Sequence, residues 1–265
     1  MADDAAKSIV DLAAATLTEL IRRYCPDLII GFHLTGSIAE GDFWPGRSDL
    51  DFVAVLSRPL TEADSEALTI LHRTYGSDPT FPLLDGIWLT ESELAAGPDS
   101  LGKGPTSHDG VFLEQAVGNR NPVTWFELKR SIPVIGALDK DALWHDAERL
   151  KSWVKQNAAS YWRGWLADAE RPWTARGFGM FGRAMPSWGV LGISRQHYTL
   201  ATGEVASKST AGGWALETFD PRHRPIIEEA LAYRRGARSL YANPFSRRRD
   251  ALAFAAMAVS TMTAA

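Results

Sequence analysis

"LTGSIAEGDFWPGRSDLDFVAV", residues 34–55, sets three glycines, two serines and four carboxylates between two apolar runs that read as neighbouring strands. Asp49 and Asp51 stand two apart at the start of the second strand. Strand alternation therefore turns both side chains to one face, with α-carbons roughly 6.5 Å apart. Two hard oxygen ligands at a strand's end suit Mg²⁺ when substrate phosphates complete its shell. The pair also has room for two ions about 4 Å apart, as in two-metal displacement chemistry. Gly36 and Ser37 follow the first strand directly. A Gly-Ser turn into the short helix "IAEG" offers backbone N–H groups and a hydroxyl to a phosphate. Ser48, beside the carboxylates, is placed for a second phosphate oxygen. An Asp-x-Asp pair alone is an ordinary acidic turn, since Gly, Asp and Ser favour turns. The Gly-Ser step at the end of the preceding strand is what favours a phosphate and metal site.

Outward from this stretch, "AAKSIVDLAAATLTELIRRY" (5–24) has the apolar spacing of an amphipathic helix closed by Pro26. "LIIGFHLTG" and "LDFVAVLS" read as strands, and "TEAD" at 61–64 opens a helix running to about Tyr75. "LLDGIWLT" is a third strand, with Thr90 or Ser92 starting another helical turn. Residues 98–121, rich in Gly, Pro and Ser, suggest a loop around a weak strand pair. Beyond Gly136 the pattern turns helical. "PSWGVLGISRQHYTLATG" and "RPIIEEALAYRRG" each carry a glycine near the C-terminal end, and "ALAFAAMAVSTMTAA" is a packed terminal helix. The expected fold is α+β: a mixed sheet flanked by helices over 1–137 and an all-α domain over 138–265.

The chain has 265 residues, 45% hydrophobic and 23% charged, so it is long enough for two globular domains without staples. Its lone Cys25 excludes an intrachain disulfide and fits a reducing cytoplasm. The N-terminus lacks the basic and then apolar order of a signal peptide. The apolar tail of 15 residues is shorter than the ~20 that a membrane span needs. A cytoplasmic monomer is expected. Net charge is −4, divided unevenly: residues 1–137 hold 10 Lys+Arg against 20 Asp+Glu, and 138–265 hold 18 against 12. Either the two lobes differ by chance, or the acidic half holds a cation while the basic half faces an anion. Neither half has the dense basic stripe of a nucleic-acid binder.

Other motifs fall away. "GSIAEGD" has Asp42 where a P-loop needs lysine. "GFGMFG" (177–182) fits G-x-G-x-x-G, but no strand precedes it, so it reads as a flexible connection between helices. The six histidines show no metal-ligand spacing, and no G-x-S-x-G elbow occurs.

Gly36-Ser37 followed by Asp49-x-Asp51 resembles the signature of the nucleotidyltransferase superfamily related to DNA polymerase β. "LGISRQHYTLATGEVASKSTAGGWALETFDPRHRPIIEEALAYRRG" (191–236) resembles the helical domain of the aminoglycoside 3''-adenylyltransferases, which inactivate streptomycin and spectinomycin. The resemblance implies that Asp49 and Asp51 bind Mg²⁺ and the ATP phosphates, with Gly36, Ser37 and Ser48 on the triphosphate. It implies a third carboxylate at Asp85, a metal ligand or the proton acceptor for the antibiotic hydroxyl, where that family carries glutamate. Lys208 and Tyr233 match residues that reach the nucleotide phosphates, and Arg195 matches in type. The implied reaction transfers AMP from ATP to a hydroxyl of a small molecule, of the streptomycin or spectinomycin kind. A nucleotide-binding or regulatory protein without productive transfer is the alternative, supported by the shortened carboxylate at Asp85. One segment departs from the family: "ARGFGMFGRAMPSWG" offers Arg176 and Arg183 and no carboxylate, which disfavours a polycation there. Acidic groups for one would come instead from Asp109, Glu114 or Glu127.

Overall fold

The computed structural model describes residues 2–264, which divide into two units, Met1–His145 and Asp146–Ala265. The division falls later than the expected boundary after residue 137. Leu143, with Leu138 and Trp144 against it, packs in the same apolar cluster as Val53 and Ile87 and so belongs to the first unit.

The first unit is built on a six-stranded sheet in the order β5-β4-β3-β2-β1-β6. The strands are β1 (Ile29–Leu34), β2 (Leu50–Leu56), β3 (Leu84–Thr90), β4 (Gly104–His108), β5 (Val111–Ala116) and β6 (Ile132–Ile135). Its helices are α1 (Ala2–Tyr24), α2 (Gly36–Ala39), α3 (Glu62–Tyr75), α4 (Glu91–Ala96) and α5 (Pro122–Leu128). β1 and β2 are antiparallel, whereas β2 and β3 are parallel, with α3 between them in sequence. The transitions from β2 to α3 and from β3 to α4 use the same chemistry. Thr61 with Asp64, and Thr90 with Glu93, form reciprocal capping boxes that satisfy the first orphan N–H groups of α3 and α4. The weak strand pair of 98–121 is the β4–β5 hairpin. Its turn, Asp109-Gly110, has φ of +48° and +76°, the double left-handed geometry of a two-residue hairpin turn.

Strand alternation sorts the sheet into two faces. Leu50, Phe52, Ala54, Leu56 and Trp88 join residues of α1 and α3 in one core, where Phe52 stacks on Phe32 at 4.8 Å and meets Trp88 edge-on at 5.1 Å. The other face buries Val53, Val55, Ile87 and Leu89 against Trp125 and Leu128 of α5. Asp51 and Asp85 lie on this second face by alternation, one step before Val53 and Ile87.

The second unit is helical, as expected: α6 (Ala147–Asn157), a π-turn at Ala158–Trp162, α7 (Arg163–Glu170), α8 (Ala175–Gly179), α9 (Ala184–Thr202), α10 (Lys208–Thr218), α11 (Arg224–Arg234) and α12 (Pro244–Ala264). "GFGMFG" is therefore partly the short helix α8 rather than an open connection. α9 is central and packs on α10, α11 and α12. Gly189 and Gly192 leave room on α9 for the indoles of Trp165 and Trp162. Among the described residues no helix is long and apolar enough to cross a membrane.

Candidate active site

The opening stretch folds around one close approach. Gly36 has φ +54°, and a β-carbon on it would lie 2.2 Å from Asp51 Oδ2, so glycine alone brings this backbone so near the carboxylate. The Thr35 N–H donates to the Asp51 carbonyl at 2.9 Å, extending the β1–β2 ladder by a step. Ser37 Oγ is buried and finds no hydrogen-bond partner among the described residues. The rest of the loop is closed by its own polar groups. The Trp44 indole N–H donates to Asp42 at 2.8 Å, and the Trp44 backbone N–H donates to Ser48 Oγ at 3.1 Å. Glu40 pairs with Arg130 at 3.2 Å.

Asp51 and Asp85 are partners in the parallel register of β2 and β3. Gly86 pairs with Ser107 in the antiparallel β3–β4 register, so the next position sets His108 beside Asp85. Gly36, Asp51, Asp85 and His108 thus form one row across the N-terminal ends of β2 and β3. His108 Nδ1 bonds Asp85 Oδ2 at 3.0 Å, and Asn119 Nδ2 donates to Asp85 Oδ1 at 2.9 Å. The Asp85 side chain is 17% exposed and that of His108 63%. Burial foremost pushes the Asp85 carboxyl above its ordinary range. The hydrogen bond and charge of His108 pull it down, while Asp49 and Asp109 push it up. Asp49 is exposed at the entrance to β2.

The loop carrying Asn119 is fixed from behind. Arg120, buried, donates to the Trp88 carbonyl at 3.1 Å and pairs with Glu93 at 2.8 Å, and Thr124 Oγ1 donates to the Asn119 carbonyl. His108 and Asn119 are absent from the sequence-derived set. The signal for His108 was present: Asp109-Gly110 is a strong hairpin turn, and a hairpin there carries the preceding residue onto the sheet edge beside β3. Asn119 had no such signal, because its contact spans a loop.

Gly36, Ser37, Ser48, Asp49, Asp51 and Asp85 all belong to the first unit, and Arg195, Lys208 and Tyr233 to the second. Arg195, on α9, donates from Nε to the Ala206 carbonyl at 2.8 Å and so ties down the residues that lead into α10. Lys208 is the first residue of α10, after the Ser207 cap. Tyr233, on α11, lies under the Arg183 guanidinium, 5.3 Å from ring centroid to Cζ. Arg183 is also paired with Glu229, itself 1% exposed, at 2.7 Å, and Arg176 shares Asp168 with Arg171. Carboxylates outside the segment 175–189 therefore offset part of its charge, and the expected repulsion of a polycation there is weakened accordingly. Of the first-domain acids, Asp109 adjoins the row. Glu114 instead lines a separate cavity of about 720 Å³ with Leu56, Glu93 and Thr90, at the opposite ends of β2 and β3.

A mixed sheet with a Gly-Ser turn facing paired carboxylates, followed by a helical unit, is the architecture that the sequence pattern implied. Residues 182–260 match the family model described as the C-terminal domain of aminoglycoside adenylyltransferase. In three dimensions the chain is similar to spectinomycin adenyltransferase AAD(9) from Enterococcus faecialis, whose crystal structure holds ATP and spectinomycin. The match has a TM-score of 0.71 at 16% identity, covering 93% of this chain and 98% of that one. At that identity the likeness establishes the fold. No curated protein matches the chain in sequence. The resemblance read from the sequence is borne out: this chain is similar to the aminoglycoside adenylyltransferases, by family model in the helical unit and by fold along nearly its whole length.

Proposed function

We propose that the chain transfers AMP from ATP to a hydroxyl of an aminoglycoside-type antibiotic, of the streptomycin or spectinomycin class. The observation that carries this is the row Gly36–Asp51–Asp85 in a chain whose residues 182–260 match an adenylyltransferase family model. The residues fit a divalent cation. Asp49 and Asp51 offer hard oxygens at a strand entrance, and Asp49 acts on Asp85 as a like charge that a cation would offset. Asp49 and Asp51 are assigned as the Mg²⁺ ligands. Asp85, hydrogen-bonded to His108, is assigned to the corner of the site that takes up the hydroxyl proton. Bound there, Mg²⁺ neutralises triphosphate charge.

The buried, unpartnered Ser37 Oγ and the N–H groups after Gly36 are assigned to the triphosphate, with Ser48 beside them. Lys208 and Tyr233 are assigned to nucleotide binding on the resemblance, and Arg195 to holding the segment ahead of Lys208. The acceptor oxygen attacks the α-phosphorus in line, and pyrophosphate leaves with the bonding pair.

The test is an acceptor panel of streptomycin, spectinomycin and other aminoglycosides with Mg-ATP, read by pyrophosphate release and by a mass gain of one adenylyl group on the acceptor. Asp49→Asn and Asp51→Asn are expected to abolish turnover while leaving thermal unfolding unchanged. Turnover retained in both would refute the assignment. Mg-ATP binding without pyrophosphate release on any acceptor would favour the regulatory alternative.

A further inference from the structure

Both oxygens of the Asp85 carboxylate are engaged by side-chain donors. Oδ1 takes the Asn119 amide at 2.9 Å and Oδ2 takes His108 Nδ1 at 3.0 Å, and the carboxylate itself is mostly buried. An N–H on Nδ1 aimed at a carboxylate sets the neutral imidazole tautomer, which leaves the lone pair on Nε2. His108 is 63% exposed, and the acidic atom beside Nε2, Asp109 Oδ2, is 3.6 Å away, beyond hydrogen-bond range. A buried carboxylate that orients an exposed imidazole is the arrangement by which a histidine serves as general base.

We propose that His108 Nε2, rather than an oxygen of Asp85, accepts the proton of the attacking hydroxyl, with Asp85 and Asn119 as positioning residues. The inference rests on the adenylyl-transfer reading and identifies the atom that reading leaves open. In the step, the acceptor O–H bond breaks and its proton passes to Nε2. The oxygen pair forms the new bond to the α-phosphorus of the nucleoside triphosphate. The bridging oxygen leaves with pyrophosphate, and the imidazolium returns its proton to solvent. Asp85 stabilises that imidazolium through Nδ1–H, with Asp109 adding a nearby negative charge. The imidazole also extends the reach of the aspartate, so a side chain one methylene shorter than glutamate need not touch the acceptor itself.

The experiment compares the full chain with His108→Ala and His108→Asn, using spectinomycin and streptomycin as acceptors with Mg-ATP. Asparagine can still donate an N–H to Asp85 but cannot act as a base. Both variants are expected to lose about a hundredfold or more in kcat, with KM for ATP changed by less than about twofold. Unchanged melting temperatures are expected for a side chain this exposed. An undiminished kcat in His108→Ala would overturn the proposal, and activity restored in His108→Asn would reduce His108 to a support for Asp85. A titration with Mn²⁺ that loses an equivalent in the variants would make His108 a metal ligand instead and also overturn it. No transfer by the unaltered chain would refute the adenylyl-transfer reading, and this inference with it. Transfer by the unaltered chain with undiminished kcat in both variants would refute this inference alone.

Discussion

Gly36→Ala isolates the contact on which the site is built. The new β-carbon would stand 2.2 Å from Asp51 Oδ2, 2.7 Å from its Cγ and 2.9 Å from its Cβ, where ordinary contact begins near 3.4 Å. The carboxylate must therefore retreat by more than ~1 Å, a displacement that costs roughly a hundredfold when it misplaces a group at the reacting centre. Residue 36 also sits at φ +54°, where an L side chain adds about 1–2 kcal/mol of backbone strain. Crowding into a packed site adds about 1–3 kcal/mol. At about 2–4 °C per kcal/mol for a domain of this size, melting should fall by roughly 4–20 °C. Gly41→Ala is the matched control. Its φ is +65°, but a β-carbon there meets nothing within 4 Å, so it should lose stability without losing rate. Pyrophosphate release and thermal melting are measured on both variants below their transitions. Equal kcat in the two would show that the Gly36–Asp51 approach does not position the carboxylate.

Ser107→Ala should destabilise the first unit by about 2–4 kcal/mol in chemical denaturation, because it strips the buried His72 Nε2 and Trp88 Nε1 of the hydroxyl they share at 2.7 and 3.0 Å. A loss under about 0.5 kcal/mol would show that the pair finds other partners. Glu229→Gln removes the charge from a buried carboxylate that takes Arg183 at 2.7 Å, Ser239 at 3.1 Å and the Leu240 N–H at 2.6 Å. It should cost about 3–5 kcal/mol, and a near-neutral result would refute an essential ion pair. Burial holds His33, His72 and His197 below their ordinary range. Their unfolded forms therefore bind protons first as pH falls through about 6.5, and stability should decline in acid by up to ~1.4 kcal/mol per pH unit for each. A flat pH–stability profile between about 6.5 and 5 would contradict this.

The local geometry of residues 34–55 was legible because it is short-range: a strand end, a glycine, a serine and two carboxylates at period-two spacing need no distant partner to be placed. The capping box at Thr61 was readable for the same reason, as was a helix start at Thr90 or Ser92, of which the structure uses Thr90. Long-range pairing was not. That β6 joins the sheet beside β1, with His33 opposite Pro133, has no signature in "SIPVIG". The Arg183–Glu229 pair, 46 residues apart, was likewise invisible and partly offsets a segment that reads as uncompensated basic charge. α10 was hidden by weak amphipathicity, since Gly212 and Gly213 interrupt it and Gly212 is buried against Leu191 and Leu231. His108 and Asn119 meet Asp85 only once β4 and the loop after β5 have folded.

The burial along β2 also governs how this chain's history can be read from variants. Leu50, Phe52, Val53, Ala54, Val55 and Leu56 are all buried and apolar, so substitutions there will deplete the folded protein and its turnover together. Asp51 alone among the seven residues of β2 is polar and only partly buried, and it is the one to which the proposed reaction assigns a role. In a mutational scan scored separately for abundance and for turnover, it should be the one position of that strand where the two scores part, and a drifting lineage would first fall silent there while still folding.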